Sequence, residues 1–430
     1  GIKVVKPKAA FYIFPQIDVK KYNPLIGATG LGSALGSGII VALGITITLW
    51  QAGMNLTDTQ VGILSGSMTF AIAAGSLLAG SLTKKFGMFK IYNYINSMYV
   101  VGALLCVLTH NYGVLFAGVV MCGFSSGLDL PISLTILSHD APDEKTAARL
   151  IALVQLFWTG GAFAGTIIGF LVSRMEGMRG ARVMFAYLVV VAAASFISRN
   201  ISGKVKGLHE EGRKYRLAGG ENTLKEVSFT TLFKGANKKK YILFFVLITV
   251  YYCTWNIISN TFGQFQTYIL VKANATQFVA TGIGIALSIE GFFAGMLYAR
   301  VAGSNKRNTF FYLGAFVQIA AMIGIAMDSG SIPVMVAMLA LYSLGTPFAG
   351  ETTYKVWTQE SFPMEARASM QGFINGLSRF ICGVVALVTP ALVTPERIQG
   401  TMYGAAVTIV ISAIAGALMI HLQKKHGIGQ

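Results

Sequence analysis

Twelve long apolar runs limit what this chain can fold into more than any other feature of its sequence. Most runs have roughly 18 to 25 residues, which is enough to cross a hydrocarbon core of about 30 Å as an α-helix. Only 12% of all residues are charged, whereas soluble domains carry about 25%. We therefore expect an all-α membrane protein with twelve transmembrane helices, near residues 24–50, 61–82, 91–109, 113–137, 148–173, 182–198, 241–271, 278–299, 308–327, 332–358, 368–393 and 399–421.

Two short segments, half a chain apart, look like variants of each other. Gly80–Lys90 and Gly295–Arg307 both begin with Gly, have Leu two positions later and a cation five positions later, and lead into another apolar run. The chain is therefore predicted to contain two copies of one membrane unit. Duplicated halves are how many secondary transporters build a central solute site.

The one long hydrophilic stretch in the middle of the chain is predicted to join these two copies. It is rich in Gly, Lys, Arg and Glu. The expected organisation is an N-terminal segment 1–22, a six-helix bundle 23–198, a linker 199–240, a second six-helix bundle 241–422 and a tail 423–430.

The positive charges are distributed unevenly along the chain, which has a net charge of +17. Most cations precede the first apolar run, follow the even-numbered runs or lie in the linker. Because Lys and Arg accumulate on the cytoplasmic side, both termini and the linker are predicted to be cytoplasmic. The cations do not form one basic face with aromatic residues, so no nucleic-acid partner is expected. Short loops and tails indicate a bacterial cell (inner) membrane.

The chain has no group of residues typical of an enzyme or a metal site. Its four cysteines lie inside apolar runs without CxxC spacing, and its five histidines lie at run ends or in loops. No catalytic residue, metal or cofactor is therefore expected. Residues 1–21 lack the short apolar core of a cleavable signal, and twelve unlike runs argue against a channel of identical subunits.

Two loop segments resemble signatures of the major facilitator superfamily and, more narrowly, of its sugar porter branch and neighbouring organic-solute symporters. Gly80–Lys90 is similar to the superfamily's loop between spans two and three, although Thr83 and Lys84 stand where the usual aspartate would be. Glu360–Arg367 is similar to the sugar porters' Glu-x-Phe-Pro-x-x-x-Arg, and its counterpart in the first half, Ser138–Arg149, is degenerate. The resemblance implies the major facilitator fold, with two six-helix bundles, and a monomer.

Charged residues in these loops are candidates for a gate. Carboxylates and arginines on the cytoplasmic rim can pair across the two halves, and such pairs break when one half rocks against the other. The alternative is that they only anchor helix ends. The gating candidates are Lys85, Arg149, Arg300, Glu360 and Arg367.

Polar residues in the seventh run predict a solute site. Asn256, Asn260 and Gln264 recur every four residues and share one helix face. Amides donate and accept hydrogen bonds together, which suits vicinal hydroxyls, whereas hydrogen bonding between helices is the alternative. This run resembles the Gln- and Asn-rich seventh span of sugar porters. The other substrate-binding candidates are Gln155, Trp158, Trp255, Tyr268, Lys355, Trp357 and Asn375.

Ionisable residues inside the runs are the strongest functional signal, because a charge at bilayer depth costs at least about 2.5–3.5 kcal/mol. Asp129, read as a lone carboxylate, is the first candidate for a proton carrier, and capping of a helix broken near Pro131 is the alternative. Glu351 and Lys355 are spaced for pairing on one helix face. Glu290 and Glu351 are further proton-coupling candidates.

These features predict a secondary transporter that imports a small polar solute by proton-coupled alternating access, with the proton gradient as the driving force. A monosaccharide or polyol is the first solute class. Lys355 leaves a sugar acid or other small organic anion as an alternative, and a multidrug exporter of the same fold as another. The expected partners are the solute, the proton and the lipid bilayer.

Overall fold

The computed structural model of the protein describes residues 19–141, 144–175, 177–219, 233–234, 237–301, 304 and 306–428. These ranges form helices joined by short loops and contain no β-strand. The first half consists of α1 (Asn23–Met54), α2 (Asp58–Phe86), α3 (Met88–Leu108), α4 (Tyr112–Asp140), α5 (Glu144–Val172) and α6 (Arg179–Ile201). A short 3-10 helix, Val19–Tyr22, precedes α1, and α7 (Gly203–Gly219) follows α6 in the predicted linker.

The described residues of the second half form seven helices, because the tenth apolar run forms two of them. They are α8 (Lys238–Lys272), α9 (Gln277–Val301), α10 (Arg307–Met327), α11 (Ile332–Gly345), α12 (Glu351–Ser361), α13 (Met364–Leu392) and α14 (Ile398–Lys425).

The break between α11 and α12 corrects the prediction of one continuous span. Pro347 lies in the break, where it lacks the N–H that a continuous helix needs. Thr353 Oγ1 satisfies a carbonyl that the break frees by donating to Phe348 O at 2.8 Å. The Tyr251 hydroxyl donates at 3.1 Å to Gly350 O, which also accepts from the backbone N–H of Tyr354. The break is therefore held by hydrogen bonds from side chains of α12 and α8.

The helices account for the twelve predicted spans. Ten of the described helices are long and apolar enough to cross a membrane. The part of α5 from Leu156 to Val172, and α11, are shorter apolar helices. With α11 and α12 counted as one broken span, each half has six spans, as the sequence predicts.

The two halves meet along three helix pairs: α1 packs against α8, α2 against α13 and α5 against α9. Glycines allow the closest approaches. Gly62 of α2 lies so near the Leu387 carbonyl of α13 that no Cβ fits between them. A Cβ on Gly44 of α1 would lie 2.7 Å from the Gln264 carbonyl oxygen of α8.

Polar contacts between the halves are concentrated at the end of the molecule opposite the described chain ends, which we call the far side. Thr48 Oγ1 donates to Gln277 Oε1 at 2.8 Å, and the Tyr268 hydroxyl donates to Asp58 Oδ1 at 2.8 Å. On the opposite side, which we call the near side, four ion pairs each join two groups of the same half: Lys21–Glu211, His139–Asp140, His209–Asp140 and Arg307–Glu360. The halves are therefore closed against each other on the far side.

The boundary after the sixth span lies later than the sequence suggests. Arg199 was expected in the hydrophilic linker, but it lies in the last turn of α6, which extends to Ile201. Its side chain is fully buried. An arginine next to polar residues looks like linker in the sequence, and only the tertiary structure supplies the buried partner described below.

Candidate functional site

The predicted polar stripe of α8 lies where the two halves meet. Asn256 and Asn260 are partly exposed. Asn256 Nδ2 donates to Ser378 Oγ of α13 at 2.8 Å. Gln264 is buried; its Nε2 donates to Asn260 Oδ1 at 3.1 Å and, across the halves, to Thr69 Oγ1 at 2.9 Å. Asn256 and Asn260 are thus accessible, whereas Gln264 bridges the halves.

Two tyrosines extend this stripe toward the near side. Tyr252 precedes Asn256 by one helical turn, and its ring stacks on Tyr354 of α12 with centroids 3.9 Å apart. The Tyr252 hydroxyl is 3.5 Å from Asn375 Oδ1. Asn375 therefore lines the same wall as Asn256. Sequence reasoning missed Tyr252, although its spacing of four residues from Asn256 was a usable signal.

A charged group lies at the start of α12, beside this wall. Lys355 Nζ is 3.0 Å from Glu351 Oε1, and the two side chains are 41% and 50% exposed. Arg379 of α13 lies within electrostatic range of the Glu351 carboxylate. The predicted pairing of Glu351 with Lys355 is present, and Arg379 leaves the group with one more cation than anions.

In the first half, the candidate solute-site residue Trp158 lies on α5. Its indole is partly exposed and packs over Gly36 of α1, and Ser37 Oγ donates to the Trp158 carbonyl at 2.7 Å. Thr159 is exposed next to it. The Gln155 side chain lies outside the described part of the structure.

Three aromatic candidates lie away from the partly exposed wall in this structure. Trp255 is buried and donates from Nε1 to Gln318 Oε1 at 3.1 Å inside the second half. Trp357 is buried against Tyr251, with ring centroids 4.8 Å apart. Tyr268 is buried at the far side, where it binds Asp58. Neighbouring residues on a helix differ by about 100° in direction, so Trp255 points elsewhere than Asn256.

Asp129 is not the lone carboxylate that the sequence suggested. Arg199 NH1 and NH2 lie 2.5 Å and 3.0 Å from its two carboxylate oxygens. The side chains are 0% and 2% exposed for Arg199 and Asp129. Arg199 also donates to the carbonyls of Ala28 and Tyr92, and a Cβ on Gly32 would collide with the pair. A buried pair with these extra hydrogen bonds compensates the charge that would otherwise be costly.

The remaining ionisable candidates differ in their surroundings. Glu290 of α9 is partly buried, with no hydrogen-bond or ion-pair partner among the described residues. Glu360 accepts two hydrogen bonds from Arg307 of its own half, at 2.6 Å and 3.0 Å. Lys85 and Arg300 are exposed. The side chains of the gating candidates Arg149 and Arg367 lie outside the described residues.

A second charged contact, which sequence reasoning missed, closes the far side. Asp58, at the start of α2, accepts hydrogen bonds from the Tyr268 hydroxyl at 2.8 Å, from Lys272 Nζ at 3.2 Å and from Gln51 Nε2 at 2.7 Å. Tyr268 and Lys272 belong to the other half. The only available signal was an acid directly after the first apolar run.

Comparison with known proteins supports the same architecture. Residues 25–387 match the Major Facilitator Superfamily. The chain is 28% identical to the minor myo-inositol transporter of Bacillus subtilis over 93% of this chain and 90% of that protein. It is 22% identical to a niacin transporter of Acinetobacter baylyi over 95% of both chains. The crystal structure of a D-xylose-proton symporter superposes with a TM-score of 0.73 at 14% identity, covering 93% of this chain and 97% of the other. The chain therefore belongs to the Major Facilitator Superfamily and is a multi-pass membrane transporter, not an enzyme.

Proposed function

We propose that this protein imports a polyol or monosaccharide together with a proton. The observation that carries the proposal is the partly exposed wall of Asn256, Asn260 and Asn375, with the buried Tyr252 beside Asn375. Asn256 and Asn260 are on one helix face, and Asn375 is 3.5 Å from the Tyr252 hydroxyl. Amides and hydroxyls can satisfy several vicinal hydroxyl groups at once. The similarity to a myo-inositol transporter supports the same solute class.

Asp129 is our candidate for the proton carrier. In the state described here Arg199 compensates its charge through two close contacts. In a state open on the far side, loss of that pairing would leave a desolvated carboxylate, which favours its protonated form. Return of Arg199 would then displace the proton. Glu351, which is paired with Lys355, and Glu290 are the second candidates.

Alternating access around this wall is the proposed transport cycle. The far side is held by the contacts of Asp58 and Gln277 with the other half, so a solute bound at Asn256 would leave by the near side. A rigid-body rocking of the halves, with rupture of these contacts, would open the far side instead. The lysines and arginines of the near side support a cytoplasmic orientation of that side in a bacterial membrane.

Uptake into proteoliposomes tests this function. Wild-type protein should accumulate labelled myo-inositol or D-xylose above equilibrium when an inward proton gradient is imposed, and should equilibrate it without the gradient. The variant Asp129→Asn should keep counterflow exchange but lose the uphill phase. The double variant Asp129→Asn/Arg199→Gln is the companion, because it removes the buried unpaired charge. Uphill accumulation by both variants as in wild type would exclude Asp129 as the carrier.

A small organic anion is the second candidate solute. Lys355 and Arg379 flank one carboxylate, Glu351, so the group has an excess positive charge that an anion can use. A relative is a niacin transporter, and niacin is a carboxylate. Competition with labelled myo-inositol separates the two solute classes. If nicotinate or glucuronate inhibits its uptake less in Lys355→Met than in wild type, the result favours the anion. Loss of inositol uptake upon Asn256→Ala would favour the polyol.

Monomeric function is also part of the proposal. The described halves close around their own interface, with the solute wall formed inside one chain. Single-molecule photobleaching of labelled protein in liposomes should give one-step bleaching. Activity that scales with the square of protein density would contradict it.

A further inference from the structure

A second cluster of titratable side chains lies outside the solute site, at the near end of the first half. His139 Nδ1 is 2.8 Å from Asp140 Oδ1, and His209 Nδ1 of α7 is hydrogen-bonded to Asp140 Oδ2. The Asp140 side chain is fully buried, whereas His209 and His139 are 13% and 24% exposed. Burial opposes ionisation of Asp140, but the hydrogen bonds from His139 and His209 outweigh it and lower the pKa of Asp140.

Tyr92 lies between this cluster and the buried pair of Asp129 and Arg199. The Arg199 guanidinium lies 4.0 Å from the centre of the Tyr92 ring. The His209 ring meets the Tyr92 ring edge to face, with centroids 5.9 Å apart. The Tyr92 hydroxyl is within electrostatic range of both Asp129 and Asp140. Titratable groups thus continue from the buried pair to α7.

Two polar atoms in this path have no hydrogen-bond partner among the described residues. They are the Tyr92 hydroxyl and His209 Nε2, and both atoms are buried. When a neutral His209 ring donates from Nδ1 to the Asp140 carboxylate, its Nε2 is an acceptor. A donor hydroxyl and an acceptor nitrogen on touching rings can be joined directly or by one bridging water.

Asp129 needs such a path because it has no direct access to water. Its residue exposure is 1%. Asp129 precedes Asp140 by eleven residues on α4, which corresponds to about 16 Å along the helix axis. Another polar group near Asp129 is Ser133, whose Oγ donates to Asp129 Oδ1 at 3.3 Å. The next turn of α4 presents the buried apolar residues Ile136 and Leu137, so α4 alone does not continue the path.

We propose that Tyr92, His209 and Asp140 form a proton-exit path from Asp129 to the near side, an assignment that rests on the proposed proton coupling. The Asp129 carboxyl proton passes to the Tyr92 hydroxyl oxygen while the hydroxyl proton passes to His209 Nε2. The Nδ1 proton of His209 passes to Asp140, and Asp140 passes a proton to Nδ1 of His139 in its Nε2–H tautomer while His139 releases its Nε2 proton to water. His139 then donates from Nδ1 to Asp140, as in the described structure, and exchange of the histidine tautomers resets the path. Each group gives up one proton as it gains another, so one proton moves and no bond between heavy atoms changes.

Two charged contacts of the described residues lie near this path. Arg199 lies behind Tyr92, paired with Asp129. Lys21, before α1, pairs with Glu211 of α7 at 2.5 Å, with both side chains more than 40% exposed. This exposed pair connects α7 to the segment before α1, so it can hold α7 against the first half when His209 is replaced.

Proton release in proteoliposomes tests the path. The purified full chain is reconstituted with a pH-sensitive dye trapped inside, and myo-inositol is the probe solute. Tyr92→Phe keeps the ring and its contact with Arg199 but removes the hydroxyl; His209→Gln removes the titratable ring. Luminal acidification and uphill uptake should slow by at least about tenfold in both variants, while counterflow exchange, which needs no net proton release, stays near wild type. His421→Gln, on an exposed histidine of α14, is the matched control and should behave as wild type.

Each outcome bears on the path. A larger solvent deuterium effect on acidification in Tyr92→Phe than in wild type would support it, since a packing role would not change that ratio. Equal slowing of counterflow in both variants would show a structural role and overturn the path. Wild-type acidification in both variants would also overturn it while leaving proton coupling intact. Wild-type protein that takes up myo-inositol without acidification would overturn proton coupling itself, and the path with it.

Discussion

Arg199 and Asp129 form a two-point ion pair in the interior of the first half, with contacts of 2.5 Å and 3.0 Å. The residues come from α6 and α4, and both are shielded from water. Because a buried charge is tolerated when its partner is present, the pair explains how an aspartate and an arginine both lie among apolar helices. It also makes the proposed proton carrier dependent on the position of α6.

The first prediction concerns the stability of this pair. Asp129→Asn or Arg199→Gln alone should lower the free energy of unfolding by about 3–5 kcal/mol, because each leaves one buried charge without its partner. The double variant should lose less than the sum of the single variants. Thermal unfolding of purified protein in detergent measures this. Additive losses in the double variant would mean that the two residues are energetically independent.

The second prediction concerns solute recognition by α8. Asn256→Ala and Asn260→Ala should each weaken myo-inositol binding by about 1–3 kcal/mol, since each leaves a desolvated solute hydroxyl unpaired. Isothermal titration calorimetry measures the change. Gln399→Ala, on an exposed residue outside the wall, is the control. Unchanged affinity in both α8 variants would remove this stripe from the site.

The third prediction concerns the hydrogen bond between Tyr268 and Asp58 on the far side. Tyr268→Phe removes a hydrogen bond to a charged group, which contributes about 1.5–3 kcal/mol. The population should therefore shift toward far-side opening by about tenfold or more. Spin labels at the exposed positions Asn111 and Asn274 report the distance across that side. Tyr403→Phe, which removes an exposed hydroxyl, should leave the distances unchanged; the same distances in Tyr268→Phe would exclude a latch.

The fourth prediction uses the close approach of α2 and α13. A Cβ at position 62 would overlap the Leu387 carbonyl of the other half, so Gly62→Ala should push the halves apart on the far side. Gly80→Ala, on the same helix but facing open space, provides the control. Far-side distances and the unfolding temperature should change in Gly62→Ala only. A wild-type distance distribution in Gly62→Ala would show that the helices shift locally without opening.

The fifth prediction concerns pH and the docking of α7. The pKa of Asp140 is lowered in the folded state. Its contribution to the stability of the folded state is therefore present above its pKa in the unfolded chain, about 3.9, and is lost as pH falls through its pKa in the folded state. Protection of α7 amides from hydrogen exchange should therefore persist between about pH 8 and 5 and decline only below about 4. Asp140→Asn should reduce protection already at neutral pH. A decline in wild type near pH 6 would mean that histidine titration, and not Asp140, controls docking.

The periodicity of the α8 stripe was enough to predict that its polar residues share one helix face. Asn256 and Asn260 are accessible on one face because residues four apart lie above each other on a helix. The same pattern included Gln264, which the structure uses to bind Thr69 of the other half. Trp255 and Trp357 looked like partners of a sugar ring, yet both are core residues. Composition and spacing do not say which side of a helix faces a cavity, since that depends on its neighbours.

The sequence by itself determined the membrane environment, the twelve spans and their division into two halves. These properties depend on run length, hydrophobicity and internal repetition, which are local. Tertiary structure alone decided the partner of Asp129, because Arg199 is seventy residues away in the chain and meets it only when α4 and α6 pack in one bundle. It likewise decided that Tyr268 binds Asp58. Electrostatic partners in a membrane bundle are chosen by helix packing across long sequence separations, and no local pattern encodes them.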